Sequence, residues 1–527
     1  MKTLNFDNKF RFSIIAGTAA ISLGMASISS MADTAINAVS KPAVSTERAN
    51  VLFIFCDDLT QQAISAYGSK LIQTPNIDRV AQNGVKFTKC YVANSICSPS
   101  RATVLTGKHS HLNGISNNGT PFDGSQQTMP KLLQNAGYQT AIIGKWHLHS
   151  EPTEFDHWDI LPGQGEYYNP EFITKDGKKT FNGYNTDIIA DKTIEWLEKS
   201  RDKSKPFLMM TQFKAPHRIF APALKHLNLF KNEKIPEPAT LFDDFKTRGK
   251  AAREQKMMIA RDMNEKDLKL VPPPGMNEAQ KKVWDEAYRE ENEAFKKANL
   301  QGDELTRWKY QRYIKDYLRC VVSVDENIGR ILDCLEKNGL DKNTLVILSS
   351  DQGLYLGEHG WFDKRFMYKE SLGTPLLVSW KGVTKPNSTC DALAQNLDFA
   401  QTILDAAGVP APADMQGLSL FPLIKGKMPK EWRKSLYYHY NDTPSIHNVA
   451  SHEGVFDGRH KLIHFYGLGY WEYYDLNLDP NELTNRYDDP SAVSEINRLK
   501  LELQKLREQY KCPELPQKND LSDQTDL

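Results

Sequence analysis

The chain has 527 residues, with 66 Lys and Arg against 66 Asp and Glu, so its formal charge is zero. That balance excludes a general nucleic-acid binder and requires any anion-binding site to be local. About 495 residues remain beyond an N-terminal leader, which predicts a large domain with a smaller companion.

The leader comes first. Lys2, Lys9 and Arg11 precede Phe12 to Ser30, a stretch of small and apolar residues without charge, and Ser30 and Ala32 suit a signal peptidase. We expect a signal peptide over 1–32 and an exported protein, periplasmic or secreted. A single membrane anchor is the alternative, but the run holds several Ser, Thr and Gly. No later stretch is long and apolar enough to span a bilayer, so no membrane contact is expected after cleavage. Residues 33–48 are small and polar, as in a linker.

Asn50 to Cys56 is an unbroken apolar run, the pattern of a strand buried on both faces, and it ends in Asp57-Asp58. The pattern recurs three times. Thr140 to Ile143 runs into Gly144-Lys145-Trp146-His147, Pro206 to Phe213 into Lys214-Ala215-Pro216-His217, and Thr344 to Leu348 into Ser349-Ser350-Asp351-Gln352-Gly353. Helical patterns over 77–83, 131–135, 187–199 and 310–338 alternate with these runs. Such alternation predicts an α/β fold with a mostly parallel central sheet between helices. Ligands of such sheets collect at the carboxyl ends of the strands, where four runs here deliver charged or imidazole groups.

Cys97-Ser98-Pro99-Ser100-Arg101 lies after the first run. Proline suits the first turn of a helix, so Cys97 falls at a helix N-terminus with Arg101 one turn on. A buried cysteine before an ordinary helix would look the same. The seven cysteines form an odd set in an exported chain, which draws attention to one thiol with another fate.

Residues 220–306 are charged and helical, an insertion over the sheet edge that is either a lid or a solvated decoration. The catalytic domain is expected over 49–425. Short β-like runs from Ser435 to Leu476 and a closing helix from Ser494 to Tyr510 form a C-terminal subdomain over 426–512. A polar tail over 513–527 follows, expected to be disordered.

Asp57, Asp58 and Asp351 are carboxylates that repel when buried together, and so need a cation. With the Gln352 amide they offer all-oxygen ligation, suited to Ca²⁺ or Mg²⁺ rather than zinc. Lys145 and His147 share one face of an extended segment. With Arg101, His217 and Lys364 they form a set able to surround a tetrahedral oxyanion.

These motifs together resemble the type I, formylglycine-dependent sulfatase family. Cys97-Ser98-Pro99-Ser100-Arg101 with Leu105-Thr106-Gly107 fits its C-x-P-S-R-x-x-x-L-T-G signature, and Gly137 to His147 fits its second signature. Thr74 to Asp78, Ala215-Pro216-His217, Ser350 to Gly353 and Leu356 to Arg365 follow in the family's order. The resemblance covers Asn50 to Leu423 and extends more weakly to Asn485. It implies an alkaline-phosphatase-like fold and a sulfuric ester hydrolase. Cys97 would be oxidised by a formylglycine-generating enzyme to 3-oxoalanine, whose hydrate attacks sulfur beside one Ca²⁺. Loss of a proton from its second hydroxyl then expels sulfate. By the same likeness Asp57, Asp58, Asp351, Gln352 and residue 97 hold calcium, and Arg101 and Lys145 fix the diol. His147 is the base for elimination, His217 the acid for the leaving sugar oxygen, and Lys364 grips sulfate. Gln352 departs from the family's usual Asn or His, and His149 stands where glycine is common.

The polar insertion and the aromatic C-terminal part suggest a sulfated carbohydrate as substrate, with His447, His452 and Arg459 as candidates to line a sugar pocket. The pattern resembles bacterial N-acetylglucosamine-6-sulfatase-like glycan sulfatases, with sulfated algal galactans and ulvans as further candidate substrates. A phosphonate or phosphate ester hydrolase on the same fold, and a non-catalytic sulfated-glycan binder, are the alternatives.

Overall fold

The structure is a computed structural model that describes residues 48–442 and 445–516. The expected signal peptide, nearly all of the linker and most of the expected tail lie outside the described residues.

The apolar runs become the strands of one ten-stranded sheet. They are β1 (Asn50–Asp57), β2 (Gly84–Phe87), β3 (Gln139–Lys145), β4 (His157–Leu161), β5 (Glu171–Thr174), β6 (Gly177–Thr180), β7 (Phe207–Pro216), β8 (Thr344–Ser350), β9 (Leu376–Ser379) and β10 (Ser388–Cys390). Their order is β10-β2-β9-β8-β1-β7-β3-β4-β5-β6. The five central strands β8, β1, β7, β3 and β4 are parallel, while β9 and β5 pair antiparallel with the block's outer strands. Phe53 of β1 lies opposite Met210 of β7 and Ile347 of β8.

Alternation along β1 feeds two cores. Leu52, Ile54 and Cys56 join Ile189, Tyr313, Ile314 and Tyr317 under the helices Asn185–Glu195 and Gly302–Lys337. Val51, Phe53 and Phe55 join Val104, Leu105, Phe399 and Ile403 under the helices Cys97–Thr106 and Phe399–Ala406. Each large apolar side chain buried this way contributes roughly 1.5–3 kcal/mol, so β1 is held from both faces. The helix expected from Tyr310 begins at Gly302. Asp303 and Glu304 occupy its first turn, where the helix dipole favours carboxylates.

The C-terminal strands β11 (Leu436–Tyr440), β12 (His452–Phe456), β13 (His460–Phe465) and β14 (Tyr470–Asp475) form an antiparallel meander. The closing helix Val493–Gln509 lays Ile496, Leu499, Leu503 and Leu506 on Tyr437, Val455, Leu462 and Tyr473. Tyr438, Tyr440 and Phe465 pack instead with Tyr355, Trp361, Phe366 and Tyr368 of the segment after β8. That shared core brings the meander to the carboxyl edge of the large sheet. Pro513, expected in the tail, accepts a hydrogen bond from Arg507 at 2.5 Å.

The insertion carries two short helices, Lys250–Glu254 and Ile259–Asp262, and a longer one, Glu278–Ala298, closed by an Asn277–Gln280 capping box. Helix breaks after Glu254, and the Lys256 amide donates to the His447 carbonyl at 2.7 Å. None of the seven cysteines forms a disulfide. No helix among the described residues is long and apolar enough to cross a membrane.

Candidate active site

Four strand ends converge. β1 ends in Asp57 and Asp58, β8 runs into Asp351 and Gln352, β3 delivers Lys145 and His147, and β7 delivers His217. Asp58 and His147 adopt left-handed backbone conformations, with φ of 65° and 54°, as the chain turns out of the sheet. Carboxylate oxygens of Asp57, Asp58 and Asp351 lie within 4.8 Å of one another, all buried.

Cys97 opens its helix beneath this cluster and is fully buried. Its Sγ is 3.4 Å from Asp57 Oδ1, 3.9 Å from Lys145 Nζ and 3.8 Å from Gln352 Nε2. Burial, then Asp57, pushes the thiol up to about 12, so the helix N-terminus does not produce a thiolate at neutral pH.

Cations surround the carboxylates. Lys145 pairs with Asp57 and donates to Gln164 Oε1 at 2.6 Å. Lys364 donates to Asp58 Oδ2 at 2.7 Å. Arg101 donates to Asp351 Oδ2 at 3.0 Å, and to the Lys145 carbonyl and Gln212 Oε1 at 2.8 Å each. Burial would raise Asp57, but Lys145, His217 and Arg101 hold it well below the carboxylate range. Asp351 is pushed well above that range by burial and Asp57, and Asp58 is raised by burial despite Lys364. Gln352 Oε1 is buried without a hydrogen-bond partner. Two buried carboxyls that stay raised despite Lys364 and Arg101, and an unpartnered amide oxygen beside them, fit an oxygen-ligated divalent cation.

Both imidazoles are biased toward the neutral form. Burial, then Lys145, holds His147 and His217 well below their ordinary value. The Arg218 carbonyl lies 2.6 Å from His217 Nδ1 and fixes the proton there, while Nε2 lies 3.8 Å from Asp58 Oδ2. Ser98 Oγ donates to the His147 carbonyl at 2.6 Å, and the Ser98 amide donates to Asn118 Oδ1 at 3.0 Å. His149 does not enter the cluster, for its Nε2 lies 2.5 Å from the Asn118 carbonyl.

The three sugar-pocket candidates separate. His447 lies beside the site, with Nε2 3.1 Å from Asp363 Oδ2. His452 is fully buried among Phe366, Tyr438, Tyr440 and Phe465 and reaches no solvent. Arg459 lies apart from the other two. It pairs with Asp475 at the β12–β13 turn, the opposite end of the meander from Tyr440.

Residues that the sequence reading missed are Gln164, Gln212, Asn118, Asp363 and Arg365. Gln212 interrupts an apolar strand, a signal that was visible. Asp363 and Arg365 flank Lys364 at φ of 83° and 97°, both nearly fully buried. Gln164 and Asn118 sit in loops without a local signal.

A parallel sheet whose carboxyl edge gathers three buried carboxylates, two lysines, an arginine and two imidazoles defines a hydrolase of tetrahedral oxyanion esters on an alkaline-phosphatase-like fold. The chain belongs to the sulfatase family: the Sulfatase model matches residues 49–409, and the model for the N-sulphoglucosamine sulphohydrolase C-terminal region matches 357–509. The chain is 50% identical to N-acetylglucosamine-6-O-sulfatase of Bacteroides thetaiotaomicron, over 88% of this chain and 87% of that one. N-acetylglucosamine-6-sulfatase of Capra hircus is 26% identical, over 87% and 84%. A solved structure of a protein in complex with its substrate D-glucosamine-2-N,6-O-disulfate has a TM-score of 0.86 at 48% identity, over 88% of this chain and 98% of that one.

Proposed function

We propose that this sulfatase hydrolyses the 6-O-sulfate of glucosamine or N-acetylglucosamine residues in glycan degradation and releases inorganic sulfate. The observation that carries the reading is the likeness at 48–50% identity, nearly end to end, to an N-acetylglucosamine-6-O-sulfatase and to a protein in complex with its substrate D-glucosamine-2-N,6-O-disulfate. We further propose a catalytic domain over 49–425, a C-terminal subdomain over 426–512, and export of the chain after loss of residues 1–32.

Cys97 is the proposed precursor of formylglycine, made by a maturation enzyme. A thiol raised to about 12 is a poor nucleophile, which favours conversion over direct use. As a hydrate, formylglycine supplies one hydroxyl to attack sulfur and a second whose deprotonation frees sulfate. Asp57, Asp58, Asp351 and Gln352 are the proposed holders of one Ca²⁺, which supplies positive charge beside the reacting oxygens.

Arg101 and Lys145 fix residue 97 and balance the Asp57 and Asp351 carboxylates. His147, neutral at rest, is suited to take the proton that triggers sulfate release. His217 is suited to protonate the leaving sugar oxygen, and it must first gain a proton as the sulfate anion offsets the charge of Lys145. Lys364 grips the sulfate. Such acid–base help is worth about two to four powers of ten in rate. His447, 3.1 Å from Asp363, is the proposed contact to the sugar.

Sulfate release from a panel of sulfated mono- and oligosaccharides, with phosphate esters as controls, tests the reading. Preference for a glucosamine 6-sulfate supports it. Preference for another sulfated sugar or for a phosphate ester contradicts it.

A further inference from the structure

The segment after β7 holds an arginine to which the proposed chemistry gives no task. Arg218 follows His217, and its side chain is about a fifth exposed (20%). Its Nε and Nη2 donate to the two carboxylate oxygens of Asp267 at 2.7 and 2.6 Å. Asp267 is fully buried, belongs to the insertion, and accepts a third hydrogen bond from the Asn264 amide at 3.0 Å. Lys269 of the insertion donates at 2.7 Å both to the Ile219 carbonyl and to the Asp267 carbonyl, tying the same two segments together. The guanidinium lies 4.9 Å over the Phe362 ring. Its remaining edge, Nη1, is 3.5 Å from His447 Nε2, and His447 in turn is 3.1 Å from Asp363.

A path can be followed from the sulfate end outward. Lys364 sits on Asp58, its own amide donates to Asp363 Oδ1 at 2.9 Å, Asp363 faces His447, and His447 faces Arg218. Arg218 therefore lies at the outer end of this chain of contacts from Lys364, with about a fifth of its side chain still exposed. Its charge is answered by Asp267 through two parallel hydrogen bonds, which also fix the plane of the fork. What remains of the fork is the Nη1 edge, shared only with His447 Nε2 at 3.5 Å, an oriented donor rather than a free cation. Such an edge selects an oxygen acceptor at a set position and gains little from a diffuse anion.

Resting on the sulfatase reading above, we infer that Arg218 is a specificity-determining residue that donates to an oxygen on the sugar beyond the scissile ester, a ring hydroxyl or the oxygen of the C2 amino substituent, and that Asp267 is its positioning residue. The insertion thereby has a task. It carries Asp267 to Arg218, and through the Lys256 carbonyl, 2.8 Å from His447 Nδ1, it also orients the neighbouring imidazole.

The test compares kcat/KM for N-acetylglucosamine 6-sulfate with kcat/KM for 4-nitrophenyl sulfate, which lacks the sugar. The ratio of the two is expected to fall about tenfold or more in Arg218→Ala and Arg218→Lys, chiefly through KM for the sugar, and to fall in Asp267→Asn. The Arg218→Ala, Asp267→Asn double variant should have the ratio of Arg218→Ala alone, because Asp267 acts through Arg218. An unchanged ratio in the conservative variants, or losses in ratio that multiply in the double variant, overturns the assignment. Unaltered protein that hydrolyses the aryl ester and not the sugar sulfate overturns the function reading instead.

Discussion

Arg101 donates from Nη2 to Oδ2 of Asp351 at 3.0 Å, joining the second turn of the Cys97 helix to the end of a strand 250 residues away. Both side chains are buried, and the same guanidinium also holds the Lys145 carbonyl and Gln212. A lysine cannot reproduce that planar set of contacts. Arg101→Lys is expected to lower kcat/KM for sulfate release by about a hundredfold. Arg101→Ala leaves Asp351 without its partner and should cost about 3–5 kcal/mol of stability in denaturant unfolding. Unaltered kinetics in the lysine variant would contradict the role given to the fork.

Removal of divalent cations should lower the thermal midpoint, because burial and the neighbouring carboxylates keep Asp58 and Asp351 raised even with Lys364 and Arg101 beside them. Adding Ca²⁺ to chelated protein at about a hundred times its Kd should restore about 2.7 kcal/mol. Asp351→Asn should abolish most of that response. A melting curve indifferent to chelator and Ca²⁺ would refute the cation site.

Gly144 lies in β3 at φ of 111°, and a Cβ there would fall 2.0 Å from the Gln212 carbonyl oxygen on β7. Gly144→Ala must push two central strands apart next to Lys145. Loss of at least about 2 kcal/mol is expected, with sulfate release falling as well. A variant as stable as the parent would show that the strands yield freely there.

His452 yields a pH test. Burial lowers it from 6.5 to about 3 in the fold, and its Nδ1 lies 2.8 Å from the Ala450 carbonyl. The unfolded chain binds this proton near pH 6.5 while the folded chain refuses it down to about 3. Its stabilising effect is therefore complete above pH 6.5 and is lost as pH falls toward 3, by about 1.4 kcal/mol per unit. His452→Phe should flatten the pH dependence of urea stability by that amount between pH 6 and 4.5. An identical slope would place the proton elsewhere.

The parallel centre of the sheet could be read from the sequence because strands buried on both faces are written as unbroken apolar runs. Their terminal residues, Asp57, Lys145, His217 and Asp351, marked the edge where the site lies. The antiparallel edge beyond His157–Leu161 was not legible, since Glu171–Thr174 is short and only alternately buried and Gly177–Thr180 is exposed throughout. Nor was the fate of His452. Composition near a strand shows that an imidazole is present, but only register decides whether it meets solvent or four aromatic rings. Asp267 was invisible for a related reason, because its partner Arg218 stands 49 residues away in an unlike segment.

Cys97 is the residue on which the proposed chemistry depends most directly, and one comparison tests it. Sulfate release from N-acetylglucosamine 6-sulfate is measured for the mature protein and for Cys97→Ala, at equal concentration and with Ca²⁺ present. The account predicts turnover by the first and none above background by the second, with binding of the sulfated sugar largely retained. Comparable turnover by Cys97→Ala would contradict it.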